Sequence, residues 1–305
     1  ALTTAGVGVR DVGRAAALLR PCLAARIPIH DPHHMTIAWL AKQPDRVTKQ
    51  HKRIASQLQK HGLGRYLAAI ESAARVAVEL KYRAAKPADL KKIGSRIGGR
   101  PDLPADWDWP AHEGVPLMFV GQILLSDEVV ELDVDELLPK GGLLSFFADL
   151  AGAVSGTTVN CVVAHHGDVG LLVRTAPPTA AACHEKAGLL QPWARFSVPP
   201  PGTAAVESLG LQQAEKEAYL GHVFREPIPE GRLHQLLGWP NAATSCDVDG
   251  KRLLAQFDSE RLIGLKFGDF ETLRFYFDGA AGGEEGFGKV VCSMDDLWTT
   301  RSKVA

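Results

Sequence analysis

Apolar residues recur at helical spacing through the first quarter of the chain. Val12, Ala15, Ala16, Leu19 and Leu23 share one face ahead of Pro28, and Ile54, Leu58, Leu63, Leu67, Ile70, Ala74, Ala77 and Val78 continue the period around Gly62 and Gly64. The spacing predicts a helical region over residues 1–85, with the glycine pair dividing two helices. After Pro87 the period shortens. Runs of β-branched and aromatic residues bounded by Gly, Pro and Asp predict strands at Leu117–Leu125, Gly142–Ala148, Val159–Ala164, Gly170–Arg174, Leu253–Phe257, Leu273–Phe277 and Lys289–Ser293. Pro199-Pro200-Pro201-Gly202 reads as a connector, followed by one helix over about Leu211 to Gly221, where strong helix formers collect. The fold class expected is α+β, with an N-terminal helical region, 1–85, and a β-rich domain, 86–305.

The order of motifs repeats within the β-rich part. Gly99-Arg100-Pro101, Val120-Gly121-Gln122-Ile123 and Leu143 to Asp149 are echoed by Gly238-Trp239-Pro240, Leu254-Ala255-Gln256-Phe257 and Leu273 to Asp278. The echo suggests two related β units with a groove between them, and such interfaces often hold ligands. Gln122 and Gln256 each interrupt an apolar strand, so each amide requires a partner. That partner is either local backbone or, if the amides face the groove with Asp258 and Asp269, a bound chain or metabolite.

Bulk composition narrows the function classes. With 46% hydrophobic and 23% charged residues and a net charge of −1, the chain has the profile of a globular protein. It lacks the basic surplus that general nucleic-acid binding demands, so no nucleic-acid partner is expected. The five cysteines are scattered and never spaced C-x-x-C, which suggests neither a disulfide framework nor a zinc knuckle and fits a reducing compartment. No run approaches the roughly 18 apolar residues of a membrane span, and no signal-peptide pattern opens the sequence, so a cytoplasmic location without membrane association is expected.

Most motifs with apparent chemistry fail on inspection. Gly283 to Lys289 satisfies G-x-x-x-x-G-K, but Val290-Val291-Cys292 follows where a hydroxyl and a helix are required. His30-Asp31-Pro32-His33-His34 carries metal-ligating side chains, yet the adjacent His33 and His34 do not readily face one ion. Alternation places Cys161, Val163 and His165 on one strand face, with His165-His166-Gly167-Asp168 at a turn. His112-Glu113 and His184-Glu185 lack the second histidine of H-E-x-x-H, and Asp247-Val248-Asp249-Gly250 lacks the later ligands of a calcium loop. No cofactor and no metal site is expected.

Trp107-Asp108-Trp109-Pro110 stands apart, because two indoles in a Pro-bounded segment offer large amphipathic surfaces that either cap a core or anchor a partner. Trp239 in the second G-x-P turn and Tyr276 in the matching late strand complete the candidate binding set of Trp107, Trp109, Gln122, Trp239, Gln256, Asp258, Asp269 and Tyr276.

These same segments resemble the YwqG-like family of bacterial proteins. The resemblance is carried by Gly98-Gly99-Arg100-Pro101-Asp102-Leu103-Pro104, Trp109-Pro110, Pro116 to Ile123 and Leu138 to Phe147. In the second half it is carried by His234 to Pro240, Leu253 to Ser259, Phe267-Gly268-Asp269 and Leu273 to Phe277. It covers about residues 63–298. Phe267 stands where the family has Trp, and no Gln follows the Gly238-Trp239-Pro240 turn. The resemblance implies a family of unknown function, some of whose members are associated with immunity to toxins. The leading expectation is therefore a non-enzymatic binding protein that neutralises a cognate toxin, across an interface of about 1,600 Å² if it is of standard size. The alternative is a small-ligand binder or hydrolytic enzyme using the groove.

Overall fold

The computed structural model describes residues 44–151, 157–225, 233–242, 251–268, 272–278, 287 and 289–295, without the side chains of 44–48 and 295. The apolar run around residues 12–23, the His30 cluster, Asp247 to Gly250, most of Gly283 to Lys289 and Asp269 lie outside the described residues.

Helix α1 (Pro44–Lys60) ends before Gly62, whose φ of 75° turns the chain, and α2 (Leu67–Ala73) follows, as the glycine pair suggests. The helical period then stops. Residues 75–84, read from Ala77 and Val78 as helix, form strand β1 (Arg75–Ala84). The alternation that governs is Val76, Val78, Leu80 and Tyr82 against Ala77, Glu79, Lys81 and Arg83, and the strand is flanked by β-structure on both sides.

Among the described residues, eleven strands make one antiparallel sheet. In chain order its members are β1, β2 (Arg96–Gly98), β6 (Met118–Leu124), β7 (Leu143–Ala148), β8 (Thr157–Val159), β9 (Cys161–His166), β11 (Ala187–Ser197), β12 (Gln235–Leu237), β13 (Arg252–Asp258), β14 (Thr272–Phe277) and β15 (Val291–Asp295). Two small two-stranded sheets pair β3 (Asp102–Pro104) with β10 (Leu172–Arg174), and β4 (Ala111–His112) with β5 (Val115–Pro116).

The spatial order is β8-β15-β14-β13-β12-β1-β11-β2-β6-β7-β9. Because β8 and β9 are interrupted only at Asn160, the run that begins against β15 ends against β7, and the sheet bends into a nearly closed, barrel-like ring. Its inside is apolar: Phe146 meets Phe257 at 5.1 Å and Phe275 at 5.2 Å between ring centroids, with Val78, Ile97, Leu236 and Cys292 in the same core. A second core, of Ile54, Leu58, Ile70, Phe196, Tyr219 and Val223, joins α1 and α2 to the far end of β11 and to the helical segment after it. There, Gln50 Oε1 accepts the Phe196 N–H at 2.9 Å.

Helix α3 is the single turn Asp127–Val130 between β6 and β7; the later segment holds α4, Ala204–Glu207, and α5, Gln213–Ala218, which runs into a π-helical stretch, Tyr219–Phe224. The proline stretch before α4 is packed rather than loose: Pro199 and Pro200 are buried and the Tyr219 hydroxyl donates to Pro199 O at 2.7 Å.

The ring is built from two matching series. Strand β1 pairs with β11 and β12, and β11 pairs with β1 and β2, so the first strand of each series is embraced by the other. Beyond them, β2-β6-β7-β9 runs one way and β12-β13-β14-β15 the other. The registers match: Arg96 faces Gln122 and Gln235 faces Gln256, while a bulge between Phe119 and Gly121 recurs between Leu253 and Ala255. Left-handed backbone at Gly98 and Gly99 (φ 67° and 71°) recurs at Leu237 and Gly238 (φ 56° and 72°). Leu237 accepts a conformation that costs a side-chain residue about 1–2 kcal/mol, and burying its side chain returns about 1.5–3 kcal/mol, so packing wins.

Candidate functional site

Sequence alternation puts Gln122 and Gln256 on the outer face of the ring, because their neighbours Gly121 and Ala255 face the inside with Phe146 and Phe275. Both are nonetheless fully buried, under the turns that follow β2 and β12. Gln122 Oε1 accepts from Asp102 N at 2.8 Å and its Nε2 donates to Gly94 O at 2.9 Å. Gln256 Oε1 accepts from Asn241 N at 3.0 Å and its Nε2 donates to Leu233 O at 3.0 Å. Each amide thus clamps the carbonyl before its short strand to the N–H just after the G-x-P turn. Four strands separate the two glutamines one way around the ring and five the other, so they stand on opposite sides of it and one groove does not receive both.

Where the two series differ, charges appear. In the first, Arg96 is 1% exposed and its guanidinium contacts Asp102, whose other oxygen accepts from Arg174 Nε at 2.6 Å. Burial holds the Arg96 guanidinium down to about 10, against the attraction of Asp102. In the second series Asp258 accepts from Leu233 N, from Thr272 Oγ1 at 2.8 Å and from Gln256 Nε2 at 3.3 Å. Burial raises the Asp258 carboxyl above its ordinary range, outweighing His234 and these donors. The Asp258 N–H donates to His234 Nδ1 at 3.1 Å, which leaves the ring proton on Nε2, 3.6 Å from Glu260 Oε2. All three side chains are 4% exposed or less, so the acid and base groups of this half face protein.

The aromatic candidates divide in the same way. Trp107 and Trp109 come together over Phe147, at 5.6 and 5.4 Å between centroids, and Trp109 Nε1 donates to Leu117 O at 2.9 Å. With Leu103 of β3, Leu117 and Phe119 they close a small core on the outside of β6 and β7. The β3/β10 pair reaches it through Leu103, and the β4/β5 hairpin is strung between Trp109 and Leu117; these two small sheets are called the roof below. Trp239 is elsewhere, tying the start of β1 to β12: its indole N–H donates to Ala73 O at 2.7 Å and Arg75 stacks on it at 3.4 Å. Tyr276 is buried on β14, between Leu253 and Val291.

The roof itself was not among the residues singled out from sequence. It exposes Leu171 (69%), Val173 (49%) and Val115 (55%), and among the described residues no further strand pairs with the outer edge of β10. The signal was present in the alternation of Leu171, Leu172 and Val173, where Leu172 turns inward and its neighbours outward.

Cys183 lies beneath this roof beside Phe119, and burial pushes its thiol up to about 12. Its alkylation by iodoacetamide at pH 8 is expected to be roughly 1,000-fold slower than that of an open thiol, read by peptide mass mapping. Comparable rates would mean that the roof opens readily.

Among the described residues no group of three or more His, Cys, Asp or Glu is placed to hold a metal ion, and no helix is long and apolar enough to cross a membrane.

The fold and its buried clamps define a class of internally matched, nearly closed antiparallel β-sheet proteins. Within it, the chain belongs to the family described as a domain of unknown function (DUF1963), whose model matches residues 95–295. No curated protein matches the chain. The match begins just before β2, yet β1, which precedes it, sits between β11 and β12 at the middle of the strand order.

Proposed function

We propose that this chain is a binding protein whose partner is another protein, and that the partner docks on the roof formed by β3, β10 and the β4/β5 hairpin. The observation that carries this reading is the exposure of Leu171, in the turn that enters β10, of Val173 on β10 and of Val115 on β5, with a β10 edge that has no partner strand among the described residues. An extended apolar segment would add to β10 through main-chain hydrogen bonds and seat its side chains beside Leu171 and Val173. The half-buried Trp107 and Trp109 support that surface from below.

In the finer reading the protein is a bacterial, cytoplasmic immunity protein and the partner a toxin. Support comes from the resemblance to YwqG-like proteins in the Gly98 to Pro104 and His234 to Pro240 motifs, and from cysteines scattered along the chain without C-x-x-C spacing, which suit a reducing compartment. The alternative groove site has less support, because Gln122, Gln256 and Asp258 direct their polar atoms to their own backbone and neighbours.

Capture with the full chain and with a Leu171→Asp/Val173→Asp variant tests the docking face. A protein retained by the parent and reduced at least tenfold by the folded variant is the expected result. Equal retention by both would overturn the assignment of the roof.

A further inference from the structure

The seam where the ring closes brings two cysteines together. Cys292 on β15 pairs directly with Val159 on β8, and Cys161 lies two residues further along the same run, opposite Ala148 of β7. Both sulfurs belong to the inside of the ring: Cys292 is a fully buried member of the main core and Cys161 packs against that core. The Cys161 thiol also reaches across to Val290 O, 3.5 Å away and just before the strand of Cys292. The two differ in access, since Cys161 is half-buried and Cys292 is not exposed at all.

We propose that Cys161 and Cys292 are a peroxide-reactive pair, with Cys161 the attacking thiol and Cys292 the resolving one, whose disulfide locks the seam of the sheet. The Cys161 sulfur attacks one oxygen of a hydroperoxide; the O–O bond breaks, and the other oxygen leaves, as water when the oxidant is hydrogen peroxide, taking up a proton. Cys161 is then a sulfenic acid. The Cys292 sulfur attacks it, the S–O bond breaks, and the hydroxyl departs as water with the Cys292 proton. Two thiols have lost two electrons and the peroxide has gained them.

Two features favour Cys161 as the first to react. A hydrogen bond from Cys292 lowers the Cys161 thiol below its ordinary value in spite of burial, which raises the thiolate fraction available to attack. Cys183, by contrast, is held up near 12 and is out of play at neutral pH. The resulting bond would tie β9 to β15 and close a loop of about 130 residues, a large restriction of the unfolded chain. The ring, otherwise closed at this point by the short β8/β15 ladder, would then be closed covalently.

The test treats the full reduced chain with about one equivalent of hydrogen peroxide at pH 7.5, blocks the remaining thiols with N-ethylmaleimide and maps peptides without reduction. The expected product is a single Cys161–Cys292 crosslink, reversed by dithiothreitol, with Tm raised by roughly 5 °C in the oxidised form. In a Cys292→Ser variant, Cys161 is expected to be trapped by dimedone as the sulfenic acid; should that variant not fold, the map of the parent chain decides alone. A disulfide joining Cys161 to a different cysteine, or a map in which Cys161 and Cys292 both remain alkylated while other thiols are oxidised, would overturn the proposal.

Discussion

Replacing Asp102 by alanine is expected to destabilise the fold by about 3–5 kcal/mol, the cost of leaving a buried cation without its counter-ion. Arg96 and Asp102 are almost wholly enclosed, and the Arg96 guanidinium already titrates lower than usual because burial disfavours its charge. Asp102 also receives the Arg174 Nε–H and the Gln122 amide, so its loss orphans three donors at once. Urea denaturation at pH 7 measures the difference. The comparison is Asp89→Ala, which removes the Arg83–Asp89 pair at 3.2 Å; this pair is open to solvent on both sides, and its loss is expected to cost far less than that of Asp102. Adding Arg96→Met to Asp102→Ala should recover much of the loss, because it removes the stranded charge.

The second large effect concerns the clamps. Gln122→Ala and Gln256→Ala each remove the acceptor of one buried backbone N–H and the donor to one backbone carbonyl, and leave a cavity. About 2–4 kcal/mol is expected for each. The matched geometry predicts nearly equal losses, within about 1 kcal/mol, and separation by four strands predicts that the double variant is additive to about 0.5 kcal/mol. Unequal costs, with one variant silent, would show that the two halves do not share this device.

Much of this architecture could be read from the chain before any coordinates. Seven strand segments, the helix break at Gly62 and Gly64, and the paired motifs around Gln122 and Gln256 all followed from period and turn chemistry. So did the requirement that both buried amides find partners. The four strands at the middle of the order, β12, β1, β11 and β2, did not, nor did the short β3, β4 and β5; β2 and β12 span only three residues each, too few to show a period. In β1, Ala74, Ala77 and Val78 fit a helical period as well as Val76, Val78 and Leu80 fit a strand period, and only the neighbours on either side decide between them. In β11, Pro192 argues against a strand, but its register explains why it is tolerated. Opposite it, Leu80 turns its N–H away to His234 O, and Leu190, two residues before Pro192, directs its own N–H to Ser95 O on the β2 side. The absent N–H of Pro192 therefore faces the edge beyond the reach of β2, where no ladder bond is lost.

The candidate binding residues were legible as chemistry but not as places. Trp107 and Trp109 are joined by packing on Phe147, whereas Trp239 and Tyr276 serve the other half of the ring. Nor could the partnership of Asp102 with Arg96 and Arg174 be seen, since Arg174 arrives through the β3/β10 pairing and no local pattern signals it. Exposure of Leu171 and Val173 likewise depends on which side of β10 faces the small core.

Amide hydrogen exchange across the full chain tests the closed, two-series ring most directly. If β1 and β11 are the embraced strands at the middle of the sheet, amides within Val76 to Leu80 and within Ala194 to Phe196 exchange among the slowest in the protein, by global unfolding. Exchange of residues 75–84 at the rate of an exposed loop or a fraying helix, while β13 and β14 remain protected, would contradict the ring and the position of β1 within it.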